Sequence, residues 1–212
     1  MPETYRWDGT LPADTATTWD AVTRHTAGWQ WHIEYEPRLG GTERGLTPNG
    51  GTVTAWQPGR HFRTRAEGAD GWFNELDLRL EDGGDQGTHL HLTHTSSDLA
   101  DDLQYAQCAA HTNFYLHSLE AYLRWFAGRD PQSVEVNVPG SFAEVCDRIG
   151  ARGNVYYRTL NFLGLRDDDT IVRVFGRDVW GDAVGVSVHS FTEGAGAAEW
   201  RAWAEGLAPV RV

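Results

Sequence analysis

The chain has 212 residues, enough for one large domain or for an ordinary domain with a partial second, and it can bury a core without covalent staples. Its formal net charge of −12 opposes a phosphate backbone, which excludes nucleic acid as a partner, and the absence of lysine excludes Schiff-base chemistry and ammonium phosphate anchors. Cys108 and Cys146 lie outside any Cys-x-x-Cys or His/Cys ligand spacing, which argues against a disulfide framework and against a zinc site.

The first ten residues carry neither the basic nor the apolar region of a leader, and no run approaches the roughly 18 apolar residues of a membrane span. A cytoplasmic protein without a membrane partner is expected. A strand from Tyr5 to Leu11 ends at Pro12-Ala13-Asp14, a stop-and-cap signal opening a helix through Trp19, Ala21 and Val22. Trp29 to Tyr35 alternates like a half-buried strand, and Gly40 to Gly51 reads as a glycine-rich, mobile loop with little to bury. Three strand-like runs, 51–57, 60–66 and 72–80, are separated by Pro58-Gly59 and by Gly68 to Gly71, the spacing of a meander. After a solvated turn at 81–87, residues 88–95 alternate around Leu90 and Leu92. Asp98 then caps the longest helix, reaching about Gly128, with Leu99, Leu103, Ala106, Ala110, Phe114, Leu116, Leu119, Leu123 and Phe126 on one packing face.

Beyond Pro131 the order of elements restarts. Val134 to Val138 followed by a helix from Phe142 to Ile149 echoes the strand and helix at the start of the chain. Three further strands are expected at 155–166, 171–179 and 183–191, with a turn at Asp167-Asp168-Asp169 and a short helix packing through Trp200 and Trp203. The predicted division is residues 1–130 and a shortened repeat at 131–212. Too few strands remain in the repeat to close the same sheet, so it should lean on the first domain or on a second copy of the chain, making a homodimer a candidate assembly.

Several short pieces, in this order, resemble the bacterial homologues of the Hsp-ninety ATPase activator, a branch of the SRPBCC (START-like) superfamily, over roughly residues 5–128. They are Trp19-Asp20-Ala21-Val22-Thr23 with Trp29, Gly40-Gly41 ahead of Gly51-Thr52-Val53, Pro58-Gly59-Arg60, Gly87 to His94, and Leu116-x-x-Leu119. A Gly-Trp pair frequent in that family's last helix stands here as His111-Thr112, which on this resemblance implies a wider or more polar cavity there. The implied fold is α+β, a helix-grip (START-like, Bet v-like) architecture in which a curved antiparallel sheet wraps a long C-terminal helix around a ligand space. The superfamily includes carriers, receptors, cyclases and co-chaperone domains, so the resemblance implies a cavity and no single reaction.

Strand parity selects the residues that face such a space. Trp72 and Asn74 share a face with Leu76, Leu78 and Leu80, and His94 shares one with Leu90 and Leu92, so Trp72, Asn74 and His94 form the predicted ligand-binding set. The alternative for His94 is a buried imidazole satisfied by backbone or water. His89 and His91 have the opposite parity, so a regular strand cannot gather all three histidines on one metal ion, and no metal is expected. Glu75 and Asp77 fall on the outer face, away from any acid/base role. No nucleophile elbow or phosphate loop occurs, and no cofactor is implied. The expected function is binding of a small hydrophobic molecule. One alternative is a cyclase- or hydrolase-like enzyme with His94 as general acid/base, and another is a protein-interaction or co-chaperone-like module.

Overall fold

Alternating apolar residues in the first part of the chain build a seven-stranded antiparallel sheet. In the computed structural model, which describes residues 3–192, 194 and 196–208, the chain forms two compact units, 1–128 and 129–212. The first contains β1 (Glu3–Leu11), α1 (Thr15–Thr23), β2 (Glu34–Tyr35), β3 (Thr42–Arg44), β4 (Gly51–Gln57), β5 (His61–Glu67), β6 (Phe73–Asp82), β7 (Thr88–Ser96) and α2 (Asp102–Trp125). Its strand order is β1-β7-β6-β5-β4-β3-β2, so the first strand pairs with the last and β6 and β7 lie inside the sheet. Register puts Leu76, Leu78 and Leu80 opposite His94, Leu92 and Leu90, joining the apolar faces of the two strands.

Local chemistry sets the helix starts. The Asp14 carboxylate accepts the Thr17 N–H at 2.7 Å, and the Asp101 carboxylate accepts the Gln104 N–H at 2.9 Å. Asp98 was the expected cap of the long helix. It lies instead in a 3₁₀ turn, Ser97–Ala100, and the helix begins one turn later, which leaves Leu103 exposed. The burial expected along α2 holds in its C-terminal half, where Phe114, Leu116, Leu119 and Tyr122 are all buried.

The Trp29–Tyr35 alternation is mostly not a strand. Thr26 folds this segment back, its hydroxyl donating to the Ile33 carbonyl at 3.2 Å and accepting the Ile33 N–H at 2.8 Å, so that only Glu34–Tyr35 pairs. The glycine-rich segment likewise holds β3 and a buried Glu43 carboxylate, whose Oε1 accepts the Leu46 N–H at 2.7 Å.

The second unit contains β8 (Gln132–Val138), α3 (Phe142–Ile149), β9 (Asn154–Arg158), β10 (Phe162–Asp167), β11 (Thr170–Phe175), β12 (Val184–Ser190) and α4 (Ala197–Glu205). Its order, β8-β12-β11-β10-β9, again sets the first strand beside the last. Four strands follow α3 where three were expected, because Thr159 breaks the 155–166 run: its hydroxyl oxygen accepts the N–H groups of Asn161 and Phe162. Val134, Val136, Val172, Val174, Val186 and Val188 pack with Phe142, Val145, Cys146 and Ile149 of α3 and with Ala204 and Leu207. Asp168 and Asp169 form the β10–β11 turn. Trp200 and Trp203 pack at the edge of this core, edge to face at 5.6 Å, with the Arg152 guanidinium over both rings.

Gly28 allows α2 its close approach, since a Cβ there would stand 2.3 Å from the Tyr122 ring. Gly28→Ala is expected to lower stability by about 1–3 kcal/mol through forced displacement of a buried ring, measured as a drop in the urea midpoint at unchanged slope.

Candidate functional site

Between the inner face of β6 and β7 and the middle of α2 lies a cavity of about 350 Å³. Trp72, immediately before β6, contributes to the sheet side together with Asn74, Leu76, Leu78, Leu92 and His94. The helix side is Cys108, His111, Thr112, Tyr115 and Leu116, spaced at three and four residues and therefore on one helical face. Trp29, Gln30 and Trp31 and the loop residues Leu46, Thr47 and Pro48 complete the lining. A wider groove of about 710 Å³ runs along β3, β4 and the end of β5, but glycines, hydroxyls and charged side chains such as Arg44, Arg65 and Glu67 line it, so it offers little apolar surface.

All three indoles direct their N–H groups to protein acceptors. Trp29 Nε1–H donates to the Ala21 carbonyl at 3.0 Å, Trp31 Nε1–H to the Gly45 carbonyl at 2.7 Å, and Trp72 Nε1–H to both oxygens of Asp98 at 3.0 Å. With these donors satisfied, the rings offer the cavity their hydrocarbon faces. The loop at 45–48, expected to be mobile, is cross-braced. Trp31 and the buried Glu43 hold its backbone, and Gly45 adopts φ +98°, a conformation that favours glycine.

Polar side chains interrupt the apolar lining, and three of them are linked. His94 Nε2–H donates to Asn74 Oδ1 at 2.6 Å, and His94 Nδ1 stands 3.1 Å from Cys108 Sγ, placed to accept the thiol proton. Burial depresses the His94 pKa, and the Asp98 carboxylate only partly opposes that. Burial also raises the Cys108 thiol pKa, with the Thr112 hydroxyl opposing. Both shifts favour an uncharged imidazole beside an uncharged thiol.

Of the residues selected by parity, Trp72, Asn74 and His94 all line this cavity, and two of them are directly bonded. His89 bonds to Thr10 and His91 contacts Asp8, both on the other face of β7. Asp77 is sheltered rather than freely solvated, held by His61 at 3.1 Å and by Arg79 at 3.2 Å. Parity within strands could not reveal Cys108. The helical signal was nonetheless present, since residues 108, 112, 115 and 119 continue the spacing of the buried Leu119 and Leu123 back along α2. Trp29, Trp31 and the 46–48 loop come from segments whose approach no local pattern encodes.

The unfolded chain binds a proton at an ordinary histidine pKa near 6.5, whereas His94 in the folded protein does so only at lower pH. The stabilising contribution is therefore complete above about pH 6.5 and is lost as pH falls toward the depressed folded value. Denaturant unfolding at pH 7.5 and pH 5.5 is expected to show a smaller acid loss of stability in His94→Gln than in the parent protein. An equal loss in both would show that His94 is not depressed.

No family model and no curated protein matches the sequence. Solved structures do match in fold. Protein MLL2253 from Mesorhizobium loti aligns at 15% identity with a TM-score of 0.51, over 57% of this chain and 97% of its own. DynU16, from the dynemicin biosynthetic locus, aligns at 18% identity with a TM-score of 0.51 over 96% of both chains. The Aha1 dimer from Colwellia psychrerythraea aligns at 20% identity with a TM-score of 0.47, over 57% of this chain and 96% of its own. The element order, the long helix against the sheet and the likenesses to MLL2253 and DynU16 together give the chain a helix-grip α+β fold.

Proposed function

We propose that the first unit binds a small, largely apolar molecule in the cavity between β6, β7 and α2. The observation that carries this reading is the lining itself: three indole faces and the leucines of β6 and β7 surround a gap that α2 does not fill at Cys108, His111 and Thr112, and the hydrogen-bonded Asn74, His94 and Cys108 stand among its polar members. A flat or aliphatic ligand would gain roughly 25 cal/mol for each Å² of apolar surface it buries there. Its one polar group would be oriented by the hydrogen-bonding groups of Asn74, His94 or Thr112. DynU16, which has the same fold over the same length, belongs to a biosynthetic locus, and that origin is in keeping with a small-molecule ligand.

The second unit is taken as a shortened copy of the first, because both place a helix after the first strand and return the last strand to pair with it. It has its own core.

Native mass spectrometry of protein purified from its own host, compared with the denatured sample, is expected to reveal a specific small mass that travels with the folded chain. Titration with 1-aminoanthracene is expected to give saturable fluorescence enhancement. Thr112→Trp, which places an indole into the space from the helix side, is expected to weaken that binding by about tenfold or more at little change in melting temperature. Dye binding unaffected by Thr112→Trp and by Trp72→Ala would remove the cavity from consideration. A partner protein retained at stoichiometric ratio by the otherwise empty chain would favour the interaction reading.

A further inference from the structure

Three side chains in the cavity stand in an order that binding alone does not need. Cys108 Sγ lies 3.1 Å from His94 Nδ1, and His94 Nε2–H donates to Asn74 Oδ1 at 2.6 Å. A nucleophile, a base within hydrogen-bonding reach and a third group fixing the base's tautomer are the three roles of a nucleophilic triad, and a thiol, imidazole and amide fill them in one known class of acyl-transfer enzymes. Each member is held by a different element. Asn74 comes from β6, His94 from the neighbouring β7 and Cys108 from α2, so the alignment is a product of the sheet register and of the helix docking. Asn74 accepts from Nε2, which leaves the Nδ1 lone pair directed at sulfur, the tautomer a general base requires. All three residues line the same apolar cavity, so an acyl chain held there would bring its carbonyl close to the sulfur.

We propose that this cavity is a covalent acyl site, with Cys108 as the nucleophile, His94 as the general base and Asn74 as its positioning residue, acting on an apolar acyl group presented as an activated ester or thioester. The proposal rests on the cavity-binding reading and assigns the ligand a class. In the forward step the Cys108 S–H proton passes to His94 Nδ1 as sulfur bonds to the carbonyl carbon. The bond to the leaving oxygen or sulfur then breaks, and that atom takes the proton from His94, leaving an acyl thioester on Cys108. Water completes the cycle. His94 Nδ1 takes its proton, the oxygen adds to the carbonyl carbon, and the Cys108 sulfur departs and regains a proton from His94, releasing a carboxylic acid. The Thr112 hydroxyl, one helical turn from Cys108 and 3.8 Å from its sulfur, is a donor within reach of the carbonyl oxygen.

An uncharged pair suits this scheme, because burial keeps sulfur protonated until His94 removes the proton within the step. Cys146 gives an internal control. It packs into the core of the second unit, among valines and the residues of α3.

The test uses the full chain with 4-nitrophenyl hexanoate as acyl donor and 1-aminoanthracene as an independent probe of the cavity. Stopped-flow release of nitrophenolate is expected to show a burst stoichiometric with protein, and intact mass spectrometry a single hexanoyl addition that maps to the Cys108 peptide. Both are expected to persist in Cys146→Ala and to vanish in Cys108→Ala and in the near-isosteric Cys108→Ser, with dye binding and melting temperature retained in at least one of the two. His94→Gln is expected to slow acylation by roughly 100-fold or more. Asn74→Ala is expected to slow it less and to move the pH midpoint of acylation, which a merely structural amide would not do. Dye binding without a hexanoyl group on Cys108 would overturn the nucleophile and leave the binding reading intact. Loss of both signals in the parent protein would overturn the two together.

Discussion

A helix laid across a curved sheet must fill the space beneath it along its whole length, and α2 does so over only half of its length. From Phe114 onward it inserts Leu116, Leu119, Tyr122 and Leu123, all buried. Before that point the same face carries Cys108, His111 and Thr112, of which Cys108 reaches His94 on β7, and these short or polar side chains leave the leucines of β6 and β7 facing a gap. An empty gap of that size forfeits the dispersion contacts of every group lining it, so this stretch of sequence costs stability unless something else occupies the space. The cavity and its braced loop both follow from this division of α2.

The lining is kept apolar by removing its own donors. Each of the three indoles could present an N–H to the space, and each is tied instead to a protein acceptor. Among the polar groups that remain, Asn74, His94 and Cys108 form one chain. In surroundings of low polarity such a chain is favoured when every member is satisfied and uncharged, and burial pushes both titrating members in that direction. The same burial that stabilises the neutral pair keeps the proton on sulfur until a base removes it. For that reason one set of distances serves both a well-satisfied core and a nucleophilic site.

The two units share a way of closing a sheet. In each, the first strand is followed by a helix and ends up beside the last strand, so the ends of the segment meet within the sheet. The second unit reaches this arrangement with five strands and a valine-rich core against α3. In place of a long helix it closes with the nine residues of α4, whose tryptophans pack at the edge of the core. A short helix covers only part of a sheet, which separates this unit in character from the first even though their topologies correspond.

The amino-acid sequence by itself determined the alternation of strands, the single long helix, the restart after Pro131 and the inward parity of Trp72, Asn74 and His94. These are local properties, set by side chains two or four residues apart along one element. It did not determine that residues 29–33 form a folded-back loop, because the Thr26–Ile33 clasp spans seven residues and leaves the apolar alternation unchanged. Nor did it determine that Thr159 would divide a strand. Above all, Cys108 could be placed on a helix face but not beside His94. That distance depends on the pairing of β6 with β7 and on how closely Gly28 lets the Tyr122 ring approach, and both bring together residues far apart in the chain. Tertiary structure alone made a thiol, an imidazole and an amide neighbours, because proximity across packed elements is set by how backbones dock and has no periodicity to read.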